Sequence, residues 1–287
     1  MRMLVLGGTA WLGAALARTA VAVGDEVTCL ARGASGDVPD GVAWVRADRD
    51  APGAYDALTG EWDLVLDVAR QPGQVRSAVA ALADRAAHWV FVSSGNVYAD
   101  HRQVGTDEEA PLLPALEGDV MTSMDVYGEA KVACEQHVLQ GCGERALLAR
   151  VGLIGGPGDS FDRSGYWPWR FAHPAADDGA VLVPDAPAHA TQMIDVRDLA
   201  TWLLAAGREA SPARSTSPVR RCRSVSTWRW PEASRATTVR SSPSTSGGCS
   251  STACRPGWAS ARCRCGSTTP TGPASTPATA AWPARPA

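Results

Sequence analysis

The chain has 287 residues, 45% of them apolar and 20% charged, with a formal net charge of −3. That suffices for one large α/β domain or two small ones, and it excludes a fibrous or wholly disordered chain. No apolar run reaches transmembrane length, so a cytoplasmic protein is expected; residues 5–23, apolar behind Arg2, are broken by Gly7, Gly8, Gly13 and Arg18.

Through residues 1–210, short β-type runs alternate with helical ones. Strands are predicted over 3–6, 26–30, 42–46, 63–67 and 88–93, and helices over 11–23 and 73–85. Continuous apolar runs such as Leu64, Val65, Leu66 and Trp89, Val90, Phe91, Val92 suit a parallel sheet covered on both faces. The alternation predicts an α/β fold, a doubly wound parallel sheet of Rossmann type. A polar loop covers 95–122. A helix follows from Thr122, whose partner three residues on is Asp125 in a capping-box pattern, and runs to about residue 139, stopping before Gly141. A strand at 146–151 leads into a glycine-rich loop at 155–158, and 192–195 and 199–206 read as one more strand and helix.

The turn after the first strand, Gly7, Gly8, Thr9, Ala10, Trp11, Leu12, Gly13, opens the first helix. Such a turn lets backbone N–H groups approach a pyrophosphate at the positive end of the helix, and Gly13 lets the helix pack close to the sheet. A tight turn without a ligand is the plainer reading, and a glycine string alone is weak; its strand–turn–helix context strengthens it. After the second strand, the place where an acid would hold the adenosine ribose is Ala31, followed by Arg32. A guanidinium without a carboxylate favours NADP over NAD, set against Arg32 as an ordinary solvated loop charge. Asp48, ending the third strand, is placed to accept from the adenine amino group or to cap the helix after it.

Of the 27 basic residues, one is a lysine, Lys131; all others are arginines, as expected of a GC-rich gene. A position that keeps an amine against that bias points to a need for a compact point charge. Tyr127 stands four residues earlier, on the same helical face. An ammonium beside a phenol is expected to lower the tyrosine pKa and make it an acid/base near neutrality. Upstream, Ser94 follows Ser93 at the carboxyl end of the 88–93 strand, where parallel sheets bind ligands, and is placed to donate to a substrate oxygen. A surface Tyr–Lys pair and a turn-forming serine pair are the bland alternatives.

Together these residues resemble the extended short-chain dehydrogenase/reductases, the NAD(P)-dependent epimerase/dehydratase group, over about residues 1–206. The likeness runs through 7–13, Ser94 with Val97 and Tyr98, Tyr127 with Lys131, and 192–198. It implies Tyr127 as proton donor and acceptor, Lys131 as ligand of the nicotinamide ribose, and Ser94 as partner of the substrate oxygen. Two departures stand out: Ala10 replaces the usual middle glycine, and the usual acid after strand two is absent. The implied activity is hydride transfer at a carbinol or carbonyl carbon of a small-molecule substrate; separately, no metal site is expected, and a homodimer is compatible with the reading. A non-catalytic NAD(P)-sensing or nucleic-acid-binding protein on the same scaffold is the alternative, disfavoured by the complete Ser94, Tyr127, Lys131 set.

Residues 211–287 differ from the rest. They hold eleven arginines, one acid (Glu232), five of the eight cysteines, and no Leu, Ile, Met, Phe, Tyr or Lys. No ordinary core forms from that set. Back-translated with GC-rich codons and read two bases later, 258–276 can spell Gly-Glu-Arg-Ser-Leu-Pro-Leu-Trp-Val-Asp-Asp-Pro-Asp-Trp-Ala-Gly-Phe-Asn-Thr. The same offset from Arg214 gives a stretch that resembles the strand-and-helix following in that family, so a frameshift is expected between about Gly207 and Arg214, and 211–287 is read as a non-native or disordered tail beside a 1–210 cofactor domain that includes part of the substrate lobe. A cationic arm for nucleic acid is the functional alternative, and the tail's cysteine spacings match no zinc pattern. Cys29, Cys134 and Cys142 are expected as reduced thiols. Asn96 and Tyr98 are expected to line the crevice or shape its turn, 166–170 to wall a substrate pocket or open a packed helix, and Asp195, Arg197 and Asp198 to cap and pair within the fold. His101, His137, His173 and His189 share no ligand spacing.

Overall fold

The computed structural model describes residues 1–102, 107–161, 163, 165–185, 190–209, 227–229 and 235–240. The chain divides into two compact units, Met1–Ser242 and Pro243–Ala287, and the second lies wholly outside the described residues. So do His189 and the cysteines of the tail.

Six strands form the central sheet: β1 (Arg2–Leu6), β2 (Glu26–Ala31), β3 (Ala43–Arg46), β4 (Trp62–Asp67), β5 (Ala86–Ser94) and β6 (Ala146–Val151). Their order is β3-β2-β1-β4-β5-β6, every pairing parallel. That is the doubly wound order expected of a Rossmann-type sheet, and it places the topological switch between β1 and β4. The connecting helices are α1 (Trp11–Ala22), α2 (Pro72–Leu82) and α3 (Tyr127–Cys142).

The apolar runs explain the layers. Successive side chains of a strand point to opposite faces, so a strand covered on both sides must be apolar throughout. Leu4, Leu6, Val65 and Phe91 face α2 and α3, while Met3, Val5, Leu66 and Val92 face α1 and a later helix, α5 (Val196–Glu209). In α5, Val196, Leu199, Ala200, Leu203, Leu204 and Gly207 are buried at helical spacing, so one stripe meets the sheet.

The helix carrying Tyr127 begins later and ends later than expected. Ser123, not Thr122, caps its approach: the Ser123 hydroxyl accepts from the Asp125 amide at 3.2 Å, and a 3₁₀ turn at Met124–Val126 precedes the α-helix. Gly141 does not stop the helix. A Cβ there would come 2.1 Å from Val79 Cγ1, so the glycine serves the close packing of α3 on α2.

Beyond β6, strand β7 (Leu153–Gly155) pairs in parallel with β9 (Ala190–Asp195), and β8 (Ala180–Asp185) lies in a separate two-stranded sheet. The helix α4 (Tyr166–Ala172) is present but buries none of its residues, contrary to a packed helix; Trp169 is 60% exposed. Two strands come from the residues set apart by composition: β10 (Thr227–Arg229) adds antiparallel to β9, and β11 (Arg235–Arg240) to β8. Among the described residues, no helix is long and apolar enough to cross a membrane.

Candidate active site

The start of α3 packs against the carboxyl end of β5 and the turn after it, and Lys131 of α3 reaches the Ala69 carbonyl just past β4; the glycine turn follows β1 in the same sheet. Gly7 has φ +95°, a backbone conformation that disfavours any side chain. A Cβ on Gly13 would lie 2.2 Å from the Gly7 carbonyl, so helix α1 rides directly on the turn. Ala10 is the N-cap of α1, with no side-chain cap and no acid in the first turn. The leading amides of Trp11 and Leu12 therefore have no intrahelical acceptor, and the positive helix end is left for an anion. Thr9, within the turn, is buried, and the Trp11 indole donates to the Pro157 carbonyl at 2.9 Å, joining α1 to the loop after β7. Backbone conformation, lack of room for a Cβ and an uncapped helix end together fit a dinucleotide pyrophosphate.

Arg32 and Asp48 lie together at the ends of β2 and β3, 3.7 Å apart, with Arg32 59% exposed. Asp48 Oδ1 also accepts from the Asp50 amide at 3.1 Å, so the carboxylate caps a turn and pairs with Arg32. Arg46 donates to the Arg32 carbonyl at 3.1 Å, which adds a second cation to this corner.

Ser94, Tyr127 and Lys131 lie near one another at the end of β5. Lys131 is 3% exposed, and its Nζ donates to the Ala69 carbonyl at 2.6 Å and to the Val92 carbonyl at 2.7 Å. Those carbonyls sit just past β4 and within β5, so the amine bridges the ends of two neighbouring strands. The Nζ is 4.5 Å from the Phe91 ring centroid and 6.0 Å from that of Tyr127. Burial lowers the Lys131 pKa to about 8, against the fields of Cys134, Asp67 and Glu135 that raise it.

The expected acidified phenol is not what the structure shows. The Tyr127 pKa is raised, because burial outweighs the neighbouring Ser94 hydroxyl and the fields of Arg70 and Arg163, which lower it. Lys131 spends two of its three protons on backbone carbonyls and stays off the phenol. Ser94 Oγ accepts from the Asn96 amide at 3.2 Å and lies beside Asn96 Oδ1 at the same distance, so Asn96 shapes the turn. Gly128, unnoticed in the sequence, makes the meeting possible: a Cβ there would lie 2.4 Å from the Asn96 carbonyl. Only a glycine lets α3 start hard against the turn that carries Ser94.

One buried ion pair and one half-buried one were also missed. Arg49 makes paired 2.8 Å bonds to both Asp67 oxygens, and Arg150 holds Glu135. Neither has a local sequence signal, because each joins residues far apart in the chain. Asp195 and Arg197 pair at 2.7 Å as expected. Cys29, Cys134 and Cys142 are free and buried, and burial pushes the Cys29 and Cys134 thiols up to about 12.

The sequence matches no protein-family model and no curated protein. Among solved structures, a UDP-galactose 4-epimerase is 21% identical with a TM-score of 0.58, over 80% of this chain and 79% of that one. The Bordetella bronchiseptica enzyme WbmG, solved with NAD and UDP, is 14% identical with a TM-score of 0.59, over 80% and 74%. A short-chain dehydrogenase/reductase superfamily protein from Agrobacterium tumefaciens, solved with bound NAD, is 18% identical with a TM-score of 0.56, over 72% and 73%. The chain shares the fold of these three structures.

Proposed function

We propose that the chain is a nicotinamide-dinucleotide-dependent oxidoreductase, epimerase or dehydratase acting at a carbinol or carbonyl carbon, with NADP preferred over NAD. The observation that carries this reading is the placement of the chain's only lysine. Lys131 is buried one turn beyond Tyr127, at the strand ends that the glycine turn also faces. Structures of the same fold hold NAD, which supports a dinucleotide in this crevice.

The dinucleotide, when bound, supplies or accepts the hydride. The chain's residues do the rest. The turn at 7–13 and the N-terminus of α1 hold the pyrophosphate, and Arg32, with Arg46 beside it, meets a 2′-phosphate at the adenosine end. Asp48 then faces the adenine side. Lys131 has one N–H left after Ala69 and Val92, and that N–H would be free to hold the nicotinamide ribose. Ser94 Oγ steadies the substrate oxygen while Tyr127 Oη gives or takes its proton. Burial keeps Tyr127 a phenol at neutral pH, so the free site is set for the direction in which a carbonyl oxygen is protonated.

Calorimetric titration with NADPH and NADH tests the reading. Saturable binding is expected, tighter for NADPH, and Arg32→Gln is expected to narrow the difference. Failure of both dinucleotides to bind would overturn it, and steeply salt-dependent nucleic-acid binding that survives Tyr127→Phe would favour the non-catalytic alternative. Residues 211–287 are best explained as out-of-frame translation, so restoring the overlapping frame is expected to add turnover to a chain that already binds cofactor.

A further inference from the structure

Glu135 lies two turns beyond Tyr127 on α3 and is buried. Its Oε1 accepts from Ser93 Oγ at 2.5 Å and from Arg150 Nε at 3.0 Å, and its Oε2 accepts from Arg150 Nη2 at 2.8 Å. Ser93 is the chain neighbour of Ser94 at the end of β5, and Arg150 belongs to β6. The same guanidinium reaches onward through Nη1 to the Glu108 carbonyl at 3.0 Å and the Tyr98 hydroxyl at 3.4 Å. Its carbon stands 5.2 Å from the Tyr98 ring centroid. One carboxylate thus joins α3, two strand ends and the loop that leaves Ser94.

Apolar side chains could hold the same elements together without desolvating two charges. Directional bonds do something that apolar packing does not: they set the register of the helix against the strand end. Lys131 makes the corresponding bonds one turn nearer the site, to Ala69 and Val92. Tyr127, Lys131 and Glu135 are four residues apart in turn, so they form one face of α3 fixed at two points, with the phenol at its free end.

We infer that Glu135 is a positioning residue for the Tyr127–Ser94 pair, holding α3 in register with the end of β5 through Ser93 and tying the Tyr98 loop to the same anchor through Arg150. The inference rests on the roles proposed above for Tyr127 and Ser94. Electrostatics adds to it. Glu135 supports the charged form of Lys131, along with Cys134 and Asp67, against burial and Arg70. Tyr127 is faced by Ser94, Arg70 and Arg163, which favour its ionised form, and by Cys134, which opposes it.

The test uses two variants of the full chain, Glu135→Gln and Ser93→Ala. The second leaves the ion pair intact and removes only the link to β5. Tyr127 ionisation is read from phenolate absorbance, each protein being compared with its own Tyr127→Phe counterpart. Lys131 ionisation is read from the single resonance of protein carrying 13Cε-lysine. In both variants the Tyr127 midpoint is expected to rise by about half a pH unit or more, roughly a threefold change in ionisation constant, as its contact with Ser94 loosens. The Lys131 midpoint is expected to fall in Glu135→Gln alone. A Tyr127 midpoint unchanged in both variants would overturn the inference, and should Glu135→Gln not fold, Ser93→Ala decides. NADPH binding to the parent is scored separately, so its absence would strike the functional reading while the two titrations still judge Glu135.

Discussion

Lys131 Nζ lies 6.0 Å from the ring centroid of Tyr127 yet gives its hydrogen bonds to the carbonyls of Ala69 and Val92. The amine is held by backbone from two strands and the phenol by helix geometry, so neither depends on the other for its place. Burial then moves their pKa values in opposite directions, Lys131 downward to about 8 and Tyr127 upward. At neutral pH the free site holds an ammonium and a neutral phenol.

Arg70 follows Ala69 directly, and its positive field lowers the pKa of both Tyr127 and Lys131. Arg70→Gln is expected to raise both midpoints together, by roughly a few tenths of a pH unit at moderate salt, because the side chain is exposed and screened. Phenolate absorbance and lysine resonance titrations check it; opposite movements would contradict it.

The Arg49–Asp67 pair is buried, with Asp67 fully enclosed and Arg49 also donating to the Gln74 carbonyl. Removing one partner leaves an uncompensated buried charge, so Asp67→Asn is expected to cost about 3–5 kcal/mol of stability. The double replacement Arg49→Met with Asp67→Leu is expected to cost much less. Denaturant unfolding of the three proteins distinguishes these outcomes.

His88 is buried, and neither ring nitrogen reaches a hydrogen-bond partner. Burial lowers its pKa, and the positive charge of Arg145 acts in the same direction. The folded protein therefore binds a proton here less readily than the unfolded chain does. Stability from this site is complete above about pH 6.5, the ordinary histidine value, and is lost as the pH falls from there toward the depressed folded value. His88→Phe is expected to flatten that dependence, as thermal unfolding between pH 7 and pH 5 would show. A slope identical to the parent's would contradict it.

The sheet was legible because burial on both faces leaves a continuous apolar signature, as in Leu64, Val65 and Leu66, and the glycine turn because φ and close approach demand glycine at Gly7 and Gly13. Lys131 was legible through composition alone. The features that stayed hidden depend on contacts distant in sequence. Gly141 reads as a helix stop until Val79 is seen across from it, and Gly128 as filler until the Asn96 carbonyl is placed beside it. The direction of the Tyr127 shift was misread for a related reason: a spacing of four residues brings Lys131 near but does not say where its protons point.

The presence of one lysine in the chain gives the most direct test of the site. Protein made with 13Cε-lysine gives a single side-chain resonance, which can be followed against pH and then against added NADPH. A midpoint near 8 is expected in the free protein, with a saturable displacement of the resonance when NADPH binds. A midpoint at the ordinary lysine value of about 10.4, or a resonance indifferent to saturating NADPH, would contradict a buried amine waiting at the nicotinamide ribose.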